Sequence, residues 1–193
     1  MKLKYYFSTT SPFCYTGNQR IFDMEKDFGF KWELKPYAIA KPTDASPPDP
    51  SEMKYLQTDI KRLITYYQLP LLFPKKPPKN RSHLECFFIA SDKGKGKEYL
   101  LAANRFYWGE GKDIGELDVL LEIAKSIGLD GKDFKDKYED PGLKERLKIS
   151  TDEGNADGVF GVPTLFIEDE IFWGQDRLDF AHRKLGRALL PQE

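Results

Sequence analysis

The sequence predicts an α/β fold in which a small sheet domain is interrupted by a long helical insertion. Three observations carry this. Residues 3–35 read strand–helix–strand, residues from about 51 to 155 carry mostly helical periodicity, and residues from 164 onward read strand–strand–helix. The sheet domain is assigned residues 1–39 and 156–193, and the insertion residues 40–155.

In the first strand Leu3, Tyr5 and Phe7 alternate with Lys2, Lys4 and Tyr6, the period of a pleated surface. Ser11-Pro12 starts a helix, because serine is a favoured N-cap and proline suits the first helical position. That helix puts Ile21, Phe22 and Phe28 on or near its buried side and stops at Gly29. Phe30, Trp32 and Leu34 then alternate as a second strand. The stretch 40–50 is too proline-rich for either regular element. Tyr55, Ile60, Leu63, Ile64 and Tyr67 mark an amphipathic helix ended by Pro70, and 73–81 is a basic proline-rich loop. Helical patterns resume over 83–106. Asp113 with Glu116 reads as a capping box for a helix carrying Ile114, Leu117, Leu120, Leu121, Ala124 and Ile127. Shorter helices follow near 130–138 and 141–155. Thr164–Glu168 and Ile171–Trp173 are short strands, and Asp176 caps a last helix with Leu178, Ala181, Leu185 and Leu189 on one stripe.

Composition narrows the function classes. The 193 residues, 40% of them hydrophobic, suffice for a core that hides roughly 70% of the unfolded surface. Thirty basic residues against 31 acidic ones, net charge −1, argue against a nucleic-acid binder. No apolar run approaches the ~18 residues that span a bilayer, so no membrane partner is expected. The N-terminal MKLKYYFSTTSPF has no secretory h-region, and a cytoplasmic location is expected. Cys14 and Cys86 are too few for a disulfide framework, and His83 and His182 lack ligand-like neighbours, so no metal site is expected.

Four segments, YYFSTTSPFCY (5–15), DIKRLITYYQLPLLFP (59–74), FYWGEG (106–111) and GVFGVPTLFIEDEIFWGQDRLDF (158–180), occur in an order and spacing that resembles a known family. It is the DsbA-like branch of the thioredoxin fold, closest to 2-hydroxychromene-2-carboxylate isomerases and kappa-class glutathione transferases. The resemblance implies a thioredoxin-like domain (βαβ…ββα) with an all-helical insertion, glutathione as cofactor or cosubstrate, a small aromatic or electrophilic substrate, and a homodimer.

Thioredoxin-like oxidoreductases begin this helix Cys-x-x-Cys; here the tetrad is Ser11-Pro12-Phe13-Cys14. Without the exposed attacking thiolate, dithiol exchange is disfavoured. The resemblance gives Ser11 the catalytic role of favouring the thiolate of bound glutathione, with the helix dipole assisting; by local sequence alone it is a helix cap. Val162-Pro163 resembles the family's cis-proline loop, where the backbone of Val162 pairs with glutathione; locally, Pro163 merely starts an edge strand. Gln175 and Asp176 are assigned to the γ-glutamyl end, Asp176 otherwise being an N-cap. Trp173 reads as packing, and Tyr107 and Trp108 as core or cleft wall. Phe13, Cys14 and Lys41 are expected at the substrate cleft. The family's loop asparagine is missing from KPTDASPPDP, leaving Lys41, Thr43 or Asp44 to replace it.

The function expected from the resemblance is a glutathione-dependent isomerase. The alternatives are a kappa-type transferase, a thiol–disulfide oxidoreductase acting through Cys14, and a non-catalytic binding module.

Overall fold

The computed structural model describes residues 1–39 and 49–189. Lys41, Thr43 and Asp44 lie outside the described residues. Among the described residues, a four-stranded sheet has the order β2-β1-β3-β4, built from β1 (Leu3–Phe7), β2 (Glu33–Pro36), β3 (Thr164–Ile167) and β4 (Glu170–Trp173). β2 runs parallel to β1, with Tyr5 opposite Leu34. β3 and β4 are antiparallel, Tyr5 facing Leu165 and Leu165 facing Phe172. Between β1 and β2 lies α1 (Pro12–Phe28), and α8 (Leu178–Leu189) closes the chain's sheet half. The intervening helices are α2 (Pro50–Tyr66), α3 (Ser82–Ser91), α4 (Gly96–Asn104), α5 (Leu117–Ser126), α6 (Gly131–Tyr138) and α7 (Gly142–Ala156). No helix among the described residues is long and apolar enough to cross a membrane.

The helix α1 begins and ends as its sequence dictates. The Ser11 hydroxyl accepts the Cys14 N–H at 3.2 Å, Pro12 occupies the first turn, and Gly29 takes the left-handed conformation (φ 70°) that ends it. Leu178, Ala181 and Leu185 form the buried stripe of α8. Sheet and helical insertion share one contiguous core that runs from Tyr5 and Phe7 through Phe87, Tyr99 and Leu120. Phe7 meets Phe87 edge-on at 5.0 Å between ring centres.

Several local expectations are corrected. All of β1 is buried, not only its Leu3-Tyr5-Phe7 face. Lys4 is 6% exposed, and its ammonium meets Asp157 at 2.6 Å and Glu153 at 2.7 Å. The second strand begins at Glu33 rather than Phe30, because Phe30 N–H closes the end of α1 on the Glu25 carbonyl and Trp32 N–H donates to the Glu25 side chain. The helical pattern over 83–106 is two helices, parted at Gly94 with φ 69°, and it continues as a π-helical turn, Arg105–Gly109. Asp113 caps a turn through the Gly115 N–H at 3.0 Å, so the capping box does not form and α5 starts only at Leu117. Asp176 does not cap α8 either; it lies inside a 3-10 turn, Gln175–Arg177, that precedes that helix.

Glu25 ties α1 to the insertion. It is 5% exposed and meets Lys97 of α4 at 2.8 Å. Burial pushes its pKa up, but the Lys97 ammonium and the Trp32 N–H outweigh that and hold it below its ordinary 4.5. A carboxyl with a lowered folded pKa contributes stability above its unfolded value and loses it as pH falls through the folded one. Glu25→Gln is therefore expected to lower stability at pH 7 by about 1–3 kcal/mol. The loss should shrink below pH 4.5, as chemical denaturation across an acid pH series will read.

Candidate functional site

β1 delivers the chain through Ser8–Thr10 to Ser11, at the positive end of α1. Ser11 is 8% exposed. Its oxygen is held from behind by the Cys14 N–H, while its proton points to the Val162 carbonyl at 3.4 Å. That second contact is long, so the hydroxyl proton can turn to another acceptor while the oxygen stays fixed.

The Val162-Pro163 peptide bond is cis, and this loop faces the start of α1. Two further ties shape it. The Gly174 N–H donates to the Pro163 carbonyl at 2.8 Å, and Gly174 has φ 99°, a conformation that favours glycine. At Gly161 a side chain is excluded, because a Cβ would sit 2.5 Å from the Trp173 indole nitrogen.

A cavity of about 250 Å³ opens between these elements, lined by Phe13, Val162, Trp173, Gly174, Gln175 and Asp176, with Asp59 of α2 across from them. Of the residues expected at the site, Phe13, Val162, Gln175 and Asp176 therefore meet in one cavity, with Ser11 beside Val162. The cavity is near the lower end of small-ligand pockets. Its charged lining is two carboxylates, each already near an arginine: Asp176 meets Arg177 at 2.6 Å and Asp59 meets Arg62 at 3.8 Å.

Sequence reasoning missed two of the cavity's residues. Trp173 is not interior packing: it is 50% exposed and packs against the Phe160 ring at a tilt of 60°, with ring centres 4.8 Å apart. Asp59 immediately precedes Ile60 of the buried stripe of α2, which is the one local signal that it faces inward.

Cys14 does not belong to the cleft. Its thiol is fully buried, and burial pushes it up to about 11 although the Ser8 backbone, the Ser11 hydroxyl and the Tyr5 phenol partly offset this. At neutral pH it is a thiol with no access to solvent. Cys86 is likewise buried and pushed up. His83 is buried against Thr9, Nδ1 to Oγ1 2.6 Å, and burial pushes its pKa down to about 4. Among the described residues no cluster of His, Cys, Asp and Glu could hold a metal ion. The native protein is expected to leave both cysteines unmodified by an aromatic disulfide reagent at pH 7, and to release two thiols when denatured; colour development before and after denaturant is the check.

The chain is similar to proteins that share this architecture. It is 29% identical over 196 residues to a 2-hydroxychromene-2-carboxylate isomerase of Pseudomonas putida, covering 97% of this chain and 95% of that protein. It is 23% identical over 201 residues to the human glutathione S-transferase kappa 1, covering 94% and 89% of the two chains. A solved 2-hydroxychromene-2-carboxylate isomerase superposes with a TM-score of 0.81 at 28% identity, over 97% of this chain and 96% of that one. The model of the DSBA-like thioredoxin domain matches residues 2–186. With its helix start, its cis-proline loop and its inserted helices all in place, the chain belongs to the DSBA-like thioredoxin domain family.

Proposed function

We propose that the protein is a glutathione-dependent isomerase of the 2-hydroxychromene-2-carboxylate isomerase type. The observation that carries this reading is the Ser11 hydroxyl, fixed by its oxygen at the start of α1 with its proton free to turn. Similarity to isomerases over nearly the whole chain supports it, and the kappa-class relative supports glutathione as the thiol.

The residues present fit glutathione. Val162, which lines the cavity, would pair through its backbone with the glutathione backbone as an added strand. The turn at Gln175–Arg177 would receive its γ-glutamyl carboxylate on backbone N–H groups, while Asp176 and, from across the cavity, Asp59 would face its ammonium. Ser11 would then donate to the sulfur, and the helix dipole would favour the ionised form. Bound glutathione would supply a thiolate nucleophile for reversible addition to a conjugated aromatic carboxylate, with Ser11 holding the sulfur ionised. Phe13 and the half-exposed Trp173 line the apolar part of the cavity.

A kappa-type transferase would use the same residues up to the ionised sulfur and differ only in the electrophile. Exchange through Cys14 lacks the accessible thiolate it needs. The family's homodimer is carried into the proposal, and α2 exposes Met53, Tyr55 and Tyr66 as apolar surface for it; sedimentation velocity reads the mass.

Calorimetric titration of reduced glutathione, repeated in buffers of different ionisation heat, tests the reading. Wild type is expected to bind with proton release near neutral pH. Ser11→Ala, which removes a hydrogen bond to a charged group worth about 1.5–3 kcal/mol, is expected to lose that release and to bind about 10- to 100-fold more weakly. No binding to wild type would sink the glutathione reading.

A further inference from the structure

The loop that presents Ser11 is latched from inside the protein. Thr9, fully buried, offers its carbonyl to Asn104 Nδ2 at 2.7 Å and its hydroxyl to His83 Nδ1 at 2.6 Å. Asn104 Oδ1 in turn accepts from Asn18 Nδ2 at 2.7 Å, and Asn18 Oδ1 accepts from the Tyr5 hydroxyl at 2.7 Å. Asn18 and Asn104 are 2% and 0% exposed. One amide of the insertion thus binds α1 on one side and the loop before Ser11 on the other. None of these polar side chains lines the ligand cavity.

The placement is specific. Asn104 is the last residue of α4, next to the π-helical turn Arg105–Gly109, a feature that recurs near functional sites. Asparagine is a poor helix former, and burying two such amides is favourable only when both ends are bonded. The Ser11 N–H bonds back to the Ser8 carbonyl at 3.2 Å, so a shift of Thr9 moves Ser11 with it. A hydrogen bond to sulfur weakens steeply with such misplacement.

We propose that Asn104 is a positioning residue that, through the Thr9 carbonyl, sets the Ser11 hydroxyl against the ligand's sulfur. This rests on the reading of Ser11 given above. Asn104 touches no ligand atom, and its effect passes through Ser11.

A double-mutant cycle tests it, with the thiol pKa of bound glutathione read from thiolate absorbance against pH. The dissociation constant of S-methylglutathione, which has no thiol to ionise, monitors the rest of the cavity. In Asn104→Ala the bound thiol is expected to rise about one unit toward its free value, a tenfold loss of thiolate at a given pH. The S-methylglutathione constant is expected to stay within about threefold. In the Ser11→Ala background the same substitution is expected to change the thiol no further, because the hydroxyl it positions is gone. An unchanged thiol in Asn104→Ala overturns the proposal, as does an equal shift in both backgrounds. If Asn104→Ala does not fold, Asn104→Thr, which has nearly the volume of asparagine but lacks the amide that donates to the Thr9 carbonyl, carries the same cycle with the same expectations. Wild type that binds glutathione without lowering its thiol pKa, or does not bind it, overturns the Ser11 reading and the positioning role with it.

Discussion

Lys4 carries a charge on a strand that has solvent on neither face, and much of the architecture answers that constraint. An unpaired ammonium at 6% exposure would be untenable. Two carboxylates, Glu153 of α7 and Asp157 just beyond it, close on it, and Asp157 also accepts from the Tyr6 hydroxyl at 2.5 Å. Removing both carboxylates would leave a buried charge uncompensated. The pairing therefore holds the last helix of the insertion over the sheet. Gly154 permits this approach, since a Cβ there would meet the Tyr37 ring at 2.8 Å. With α7 down on one face and α1 on the other, β1 is central and its carboxyl end opens at Ser8–Ser11.

The site then follows from a helix start and a loop brought face to face. The oxygen of Ser11 satisfies one orphan N–H of α1, which any capping serine would do. What distinguishes this one is that its proton has no strong partner: the Val162 carbonyl lies at 3.4 Å. The same arrangement keeps Cys14 out of the chemistry. A thiol one turn into α1, against Tyr5 and Ser8, is packed as a small core residue.

Much of the fold was legible because its signals are local. The alternation in β1, the Ser11-Pro12 start, the Gly29 stop and the buried stripe of α8 each depend on neighbours within a few residues. Of the positions that motifs mark, Val162, Gln175 and Asp176 meet in the candidate cavity, and Ser11 lies beside Val162. What escaped depends on distant partners. That Lys4 and Tyr6 are interior is decided by Glu153 and Asp157, some 150 positions away. Asn18, Asn104 and Thr9 look like ordinary polar positions until three elements meet around them. Trp173 looks like core because tryptophans usually are, yet the close approach to Gly161 places it at the rim. The turn at Asp113 and the 3-10 turn at Asp176 are cases where an acidic residue suits either a helix start or a tighter turn, and the following glycine or arginine decided for the turn.

A hydroxyl at position 11, with both of the chain's sulfurs of cysteine sealed in the core, has a consequence for the conditions under which this fold can work. Relatives of the dithiol kind change composition at the helix start each time they are oxidised or reduced. Here the helix start carries nothing that forms or loses a bond to oxidants. The thiol nearest Ser11 along the helix, that of Cys14, is fully buried, so the helix start offers no accessible cysteine for disulfide exchange.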